Sequence, residues 1–321
     1  MAEYFNALDH AVYFTLAYSD VFNFPLTKEE IIARLPVVWD WPYLTDQRIK
    51  TQKLLLDSSE NSVEKSLLKL EKKQKIDKKQ LRNTSYYFLK NRQKLLVQRL
   101  KKQEIAQLRQ SAIDQVSNYL SKFPTISALA LTGASAVNNA KLDDDLDFCI
   151  IVKKNTLWIT RFFVILLTKI LHKQPQIILQ TKENNKQAWC FNLWLDENKL
   201  NMAKRGLSIF QSYELKQMSW LFDRADIKQK ILLANPQLVS LIDVASQNGS
   251  AVITSDNIFD YLRKLLNYIF YFIQCFYRYF KFGRENYDLS LYQAHFNDLS
   301  RQKHIFQKIK RKMTKNDFSD F

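Results

Sequence analysis

The sequence predicts an α+β protein, and three observations on its 321 residues support that prediction. Residues 1–90 show helical periodicity followed by a hairpin pattern. Residues 123–200 combine short apolar strands with one helix, and residues 201–321 are mainly helical. One long polar helix, residues 91–122, connects the first two regions as a spacer. With 46% apolar residues, a chain of this length can fill the cores of two or three domains.

The first 90 residues contain three predicted helices and a predicted hairpin. Residues 8–35 are expected to form two helices around a turn, and a capping box at Thr27 begins the second. A third, amphipathic helix begins after Ser62. Two short strands, at 75–77 and 85–89, then surround a lysine-rich turn. Three helices followed by a hairpin resemble a winged helix.

The net charge of +16 is concentrated near the N-terminus. Residues 65–110 contain 15 Lys and Arg against 3 Asp and Glu, so this segment alone contributes +12. Such a charge attracts polyanions, including nucleic acid, nucleotides and anionic lipid. Two interpretations remain open. The segment is either a solvated helix face or a nucleic-acid-binding surface of the winged-helix-like region.

A small mixed sheet with one crossing helix is predicted for residues 123–200. The strands are expected at 127–131, 146–152, 177–179 and 189–195, and the helix, capped by Thr156, at 157–171. Charged or polar residues interrupt both this helix and a second apolar stretch at 265–280. Neither matches the roughly 20 apolar residues of a bilayer-crossing helix, so both are predicted to be buried core helices.

The glycine at position 133 is the first candidate for a functional backbone feature. The chain contains only four glycines, and Gly133 is the only one among the first 205 residues. A chain with so few glycines is expected to place one where the backbone needs a positive φ or where another group approaches closely. Gly133 follows a buried strand and precedes the small residues Ala134 and Ser135. Exposed backbone N–H groups in such a turn can hold a phosphate.

Two aspartates, Asp145 and Asp147, lie at the beginning of the next apolar strand. The two-residue period of a strand points both carboxylates to one side and Leu146 to the other. Neighbouring carboxylates repel each other unless a cation neutralises them, and Mg²⁺ is suited to carboxylates together with phosphate oxygens. The alternative is that Asp143, Asp144 and Asp145 form an acidic loop without a site.

The segment from Leu131 to Phe148 resembles the signature of the DNA polymerase beta-like nucleotidyltransferase superfamily. Leu131-Thr132-Gly133-Ala134 is followed by ten residues and then by Asp145-Leu146-Asp147-Phe148. Segments 157–161 and 190–193 are similar to a bacterial group in which such a domain follows a winged-helix-like region. The resemblance implies that Asp145 and Asp147 bind Mg²⁺. It also implies that Gly133, Ala134 and Ser135 hold a nucleoside triphosphate, with ATP as the first candidate.

The chain departs from that superfamily at two positions. Ala134 stands where the superfamily has Ser or Gly, and Ser135 follows one place later. The superfamily's third carboxylate, which acts as a base, belongs on a later strand, where this chain has Asn192 in the middle and Asp196 at the end. Because an amide cannot accept a proton as a carboxylate does, Asp196 or its neighbour Glu197 is the predicted base, or turnover is weak.

Three functions follow from these observations. The first is Mg²⁺-dependent transfer of a nucleoside monophosphate to an acceptor hydroxyl. The second is a catalytically impaired protein of the same fold that binds nucleic acid or regulates. The third is a membrane-surface or scaffold role for the aromatic segment 265–280, and membrane contact is the least favoured. A cytoplasmic location is predicted because no signal peptide is evident and the three cysteines are widely spaced.

Overall fold

The computed structural model describes residues 5–35, 38–39, 54–55, 59–170, 189–201, 209–235, 258–282, 288–295 and 300–314. In this part of the chain the protein has a mixed α+β fold with small sheets. The chain divides into two compact units. The first consists of Met1–Lys101, Gln237–Gln247 and Ser300–Phe321, and the second of Lys102–Pro236 and Asn248–Leu299.

The first unit consists of helices and two-stranded antiparallel sheets. Its helices are α1 (Ala7–Val21), α2 (Lys28–Arg34), α3 (Glu60–Lys72) and α10 (Ser300–Thr314). Its strands are β1 (Val38–Trp39), β2 (Leu54–Leu55), β3 (Ile76–Leu81) and β4 (Thr84–Leu89), paired β1 with β2 and β3 with β4. The predicted helices and hairpin are observed in the predicted order, but the small sheet β1–β2, between α2 and α3, was not predicted. The predicted lysine-rich turn is wrong, because Lys78 and Lys79 belong to β3. The long helix α4 (Leu95–Leu120) begins in this unit and continues in the second.

Helix α1 is the centre of the first unit, where it packs against α3, β4 and α10. Because it is buried along most of its length, its acidic side chains need partners. Asp9 accepts hydrogen bonds from the Ser66 hydroxyl at 2.5 Å and from the Lys69 ammonium at 2.8 Å. The predicted capping box of α2 is confirmed, because Thr27 and Glu30 each accept a hydrogen bond from the other's backbone N–H.

The second unit contains a six-stranded sheet. Its strands are β5 (Ile126–Leu131), β6 (Leu146–Val152), β7 (Trp189–Asp196), β8 (Ser219–Asp223), β9 (Asp288–Leu289) and β10 (Gln293–His295). Their order across the sheet is β8-β5-β6-β7-β10-β9, and only β6 and β7 run parallel. A parallel pair needs a crossover connection, and helix α6 (Leu157–Ile170) lies in it. Every residue of β5 is buried.

Helices and short turns complete the second unit. They are the second part of α4, the single turn α5 (Gly133–Ala136), α7 (Ile209–Lys216), α8 (Ile227–Ala234), α9 (Ile258–Phe282) and a 3₁₀ turn at Glu197–Lys199. Val116 and Leu120 of α4 join Trp158, Trp194 and the apolar side chains of β5 and β6 in one core. Helix α6 packs against α9.

Several predictions need correction. The region 201–321 is not a separate helical domain, because β8, β9 and β10 belong to the six-stranded sheet and α10 packs on α1. The predicted cap of α6 also differs, since the Thr156 hydroxyl donates to the Lys153 carbonyl oxygen. The segment 265–280 is not a buried core helix, because Phe272 and Phe276 of α9 are 64% and 67% exposed. The strand predicted at 177–179 lies outside the described residues.

Candidate active site

The glycine turn at the end of β5 lies directly against Asp147. The backbone N–H of Thr132 donates to the Asp147 carbonyl oxygen at 2.8 Å, which ties the turn to β6. Gly133 has a φ of +64°, a left-handed conformation that side chains other than hydrogen rarely adopt. A Cβ atom placed on Gly133 would lie 3.0 Å from Oδ2 of Asp147. Both reasons that predict a glycine at a functional turn therefore apply at this position.

The carboxylates of Asp145 and Asp147 share one face of the sheet. Leu146, between them, is buried in the core, whereas Asp145 is exposed and Asp147 is half-buried. Strand β7 lines the same face: the Asn192 side-chain amide donates to Oδ1 of Asp147 at 2.6 Å. The Cys190 thiol donates to Oδ2 of Asp145 at 3.4 Å. The structure thus brings the two aspartates and the glycine turn together.

The pKa of the Cys190 thiol reflects both the burial and the negative charge of this face. Burial, together with the negative charges of Asp145 and Asp147, raises the pKa of the Cys190 thiol to about 12. The thiol therefore stays protonated at neutral pH. In that form it donates a hydrogen bond to Asp145 and is not a nucleophile.

Arg109 of α4 supports the turn from the other side. Its side chain is only 1% exposed, and its guanidinium donates to the Ser135 hydroxyl at 2.9 Å. The guanidinium also donates to the carbonyl oxygens of Leu142 and Asp144. Burial lowers the pKa of Arg109, while the nearby aspartates oppose that shift. Arg109 thus connects the glycine turn to the loop that leads into Asp145, and it holds the Ser135 hydroxyl in the interior.

A cavity of about 150 Å³ lies beside this turn. Its polar lining residues are Arg109, Gln110, Ser135, Asn138 and Ser219. Pockets for ligands of nucleotide size usually have about 300 Å³ or more, so this cavity is too small for a nucleotide.

The predicted base Asp196 does not lie in this site, and the structure corrects that prediction. In the parallel pairing of β6 with β7, Asp147 is opposite Cys190, whereas Asp196 is opposite Val152. At about 3.3 Å per residue, the six residues from Cys190 to Asp196 span about 20 Å. Glu197 lies at the same distant end, hydrogen-bonded to Ser127 at the beginning of β5.

Asp196 has a structural role at that distant end. It is fully buried, and it accepts a hydrogen bond from the Asn198 backbone N–H at 2.9 Å. Burial raises the pKa of Asp196, hydrogen bonds from the backbones of Asn198, Asn155 and Thr156 partly offset that effect, and the resulting pKa is about 7. The position beside Asp147 that could have held a third carboxylate is occupied by Asn192.

Two carboxylates, Asp145 and Asp147, are the candidate ligands for a metal ion at this face. In the described part of the chain, no group of three or more His, Cys, Asp and Glu side chains is arranged to hold a metal ion. Two carboxylates on one face nevertheless fit Mg²⁺, because this ion commonly binds through one or two carboxylates, with waters and substrate phosphates as its other ligands. Asp145 and Asp147 provide such a pair.

Arg109 and Cys190 were not predicted as part of this site. The sequence signal for Arg109 was weak, because it lies in a polar helix with many other basic residues.

No helix of the described segments has both the length and the apolar character that crossing a membrane requires. Comparison of the chain with protein-family models, with curated proteins and with solved structures gives no match.

Proposed function

We propose that the protein binds a Mg²⁺–nucleoside triphosphate, with ATP as the first candidate, and transfers its nucleoside monophosphate to an acceptor hydroxyl. The observation that supports this most directly is the contact between the glycine turn and the acid pair. Gly133 approaches Asp147 so closely that a Cβ atom would lie 3.0 Å from its carboxylate oxygen, and Asp145 lies on the same face. The turn proposed to bind phosphate and the two carboxylates proposed to bind Mg²⁺ are thereby adjacent.

Each residue has a defined part in this proposal. Asp145 and Asp147 would hold Mg²⁺, which neutralises charge on the phosphates when bound. The backbone of Gly133, Ala134 and Ser135 would bind the triphosphate. The acceptor oxygen would form a bond to the α-phosphorus while the bond from that phosphorus to the pyrophosphate oxygen breaks, and the proton of the acceptor hydroxyl would pass to water. Asn192 orients Asp147 through its hydrogen bond but cannot take the acceptor's proton, so we expect slow transfer.

The proposal is tested by measuring Mg²⁺-dependent ATP binding and the transfer of label from α-labelled ATP. The double variant Asp145→Asn/Asp147→Asn is isosteric and should bind ATP at least about tenfold more weakly, since it removes both charged ligands. The control variant Asp114→Asn/Asp143→Asn removes the same charge from exposed positions, one of them in the adjoining loop. If both variants bind ATP as the wild type does, the acidic-loop interpretation is correct.

A second candidate function is a catalytically impaired member of the same fold that binds nucleic acid. Asn192 in place of a third carboxylate supports it, as does the exposed basic edge of the first unit at Lys78 and Lys79 of β3. Affinity for duplex DNA should then fall steeply with salt. Lys78→Gln/Lys79→Gln should reduce the slope of log K against log salt by about 2, one per phosphate contact.

The matched control for this second function is Lys228→Gln/Lys230→Gln, which removes two exposed lysines from α8. An unchanged slope in the β3 variant, or an equal change in the control, would exclude a specific role for the hairpin. ATP binding without labelled product, together with salt-dependent DNA binding, would favour the second function over the first.

A further inference from the structure

Arg109 is a buried cation without a counter-ion in the described part of the chain. Its side chain is 1% exposed, and its guanidinium donates to neutral oxygen atoms, those of the Ser135 hydroxyl and of two backbone carbonyls. No ion pair of the described residues includes Arg109. Its Nε–H is buried and has no hydrogen-bond acceptor among these residues. Because charged side chains are almost never fully buried unless they are paired, a negative partner for Arg109 is expected.

The aspartates near Arg109 compensate its charge only in part. Burial lowers the pKa of Arg109, although the charges of four nearby aspartates act in the opposite direction: Asp143, Asp144, Asp145 and Asp147. The carboxylates of Asp145 and Asp147 accept hydrogen bonds from β7, and the carboxylate of Asp144 accepts one from the backbone of its own loop. These acids therefore leave room for a further negative charge beside the guanidinium.

The cavity beside the glycine turn is lined by Arg109 and is suited to hold such a charge. Among the described residues that line it, Arg109 is the only charged one, so the lining is positive and contains no carboxylate. The Ser135 and Ser219 hydroxyls and the Asn138 amide provide hydrogen-bond donors. Asn138 and Ser219 are exposed, so a ligand can enter from solvent.

The volume of this cavity favours a small oxyanion. A cavity of about 150 Å³ holds a molecule of the size of benzene, and phosphate and sulfate are slightly smaller. Their tetrahedral oxygens can accept hydrogen bonds from donors on several walls at once. Water could accept from the same donors, but it would leave the charge of Arg109 uncompensated.

We propose that this cavity is a binding site for a free oxyanion of phosphate size, with inorganic phosphate or sulfate as its ligand. The anion would lie beside the guanidinium of Arg109 and accept hydrogen bonds from Ser135, Asn138 and Ser219. Because Arg109 also donates to carbonyl oxygens of the loop before Asp145, a bound anion would stabilise that loop together with the glycine turn. The site requires no nucleotide and is independent of the proposed transfer reaction.

The test is calorimetric titration of the full chain with inorganic phosphate, in a chloride buffer of constant ionic strength and without Mg²⁺ or nucleotide. We expect saturable binding to the wild type. Asn138→Asp adds a carboxylate to the lining at unchanged size, and aspartate tolerates the φ of +54° at this position. This variant should fold normally and bind phosphate at least about tenfold more weakly, because like charges repel.

A second variant and a matched control complete the titration. Ser219→Asp places the same charge in the lining from the exposed edge strand β8 and should weaken phosphate binding similarly. Asn83→Asp is the control, because Asn83 is likewise exposed and has a φ of +64°, but it lies in the β3–β4 turn of the first unit. Its affinity for phosphate should equal that of the wild type.

Two measurements separate this site from the proposed nucleotide site. Asp145→Asn/Asp147→Asn should still bind phosphate even where Mg²⁺-dependent ATP binding is lost, and phosphate affinity should be the same with and without Mg²⁺–ATP. Four results would overturn the proposal: no saturable phosphate binding to the wild type, wild-type affinity in both cavity variants, an equal loss in Asn83→Asp, or competition between phosphate and ATP. The last would assign the cavity to the phosphates of the nucleotide.

Discussion

The substitution Gly133→Ala tests whether the glycine turn and Asp147 act as one site. An alanine at the observed φ of +64° costs about 1–2 kcal/mol of backbone strain. In a unit of this size that corresponds to a decrease in melting temperature of about 2–8 °C. The new Cβ atom would also lie 3.0 Å from Oδ2 of Asp147, closer than normal van der Waals contact, so the carboxylate has to move.

The assay compares thermal unfolding with Mg²⁺–ATP affinity, both measured on the same preparations. We expect Gly133→Ala to remain folded at room temperature and to bind ATP about tenfold more weakly, which is about 1.4 kcal/mol. Asn83→Ala is the matched control, because Asn83 has the same φ of +64° in the β3–β4 turn of the first unit. It should be destabilised without any change in ATP affinity.

If Gly133→Ala is destabilised like the control but binds ATP with wild-type affinity, the close approach of Gly133 to Asp147 has no role in nucleotide binding. If neither variant is destabilised, the strain argument from φ is wrong at these turns.

Three further predictions concern Arg109, Asn192 and Asp196. Arg109→Met should destabilise the second unit by about 3–5 kcal/mol, because three oxygen atoms lose a buried charged donor; Arg109→Lys should recover only part of that loss, measured by urea unfolding. Asn192→Asp places a third carboxylate beside Asp147, so its melting temperature should depend more strongly on Mg²⁺ than that of the wild type, and transfer from labelled ATP should become faster if that reaction occurs. The pKa of Asp196 is about 7 in the folded protein, against about 3.8 when the chain is unfolded. Between these two values the unfolded state ionises while the folded state stays protonated, so the free energy of unfolding falls as pH rises from about 4 to about 7. Asp196→Asn should therefore melt close to the wild type at pH 4 and above it at pH 8. An equal difference at both pH values would contradict the assigned pKa.

The acid pair and its glycine turn could be predicted because they lie close together in the sequence. Gly133 follows β5 and Asp147 belongs to β6, and these strands are adjacent and antiparallel. Residues joined by a short connection between paired strands have few ways of being arranged, so composition and alternation are sufficient to place them. The same applies to the capping box at Thr27, which is formed within a single turn of helix.

The sequence could not predict which residue of β7 lies beside Asp147, because that depends on the register between β6 and β7. These strands are joined by a crossover that includes α6, and their pairing is determined by tertiary packing. An acid at the end of β7 is a reasonable base if the register is unknown. With the register known, Asn192 lies at Asp147 and Asp196 is about 20 Å along the strand from Cys190.

The sequence by itself determined the α+β class, the order of helices and hairpin in the first unit, and the adjacency of Gly133, Asp145 and Asp147. Only the tertiary structure decided that Arg109 supports this turn, that Asn192 faces Asp147, and that α9 turns its apolar face outward. The physical reason is that periodicity shows which residues share a face of a helix but not which face is buried. In α9 that choice is made by the hydrogen bonds of Asn267 and Gln274 to a helix about 100 residues earlier in the chain.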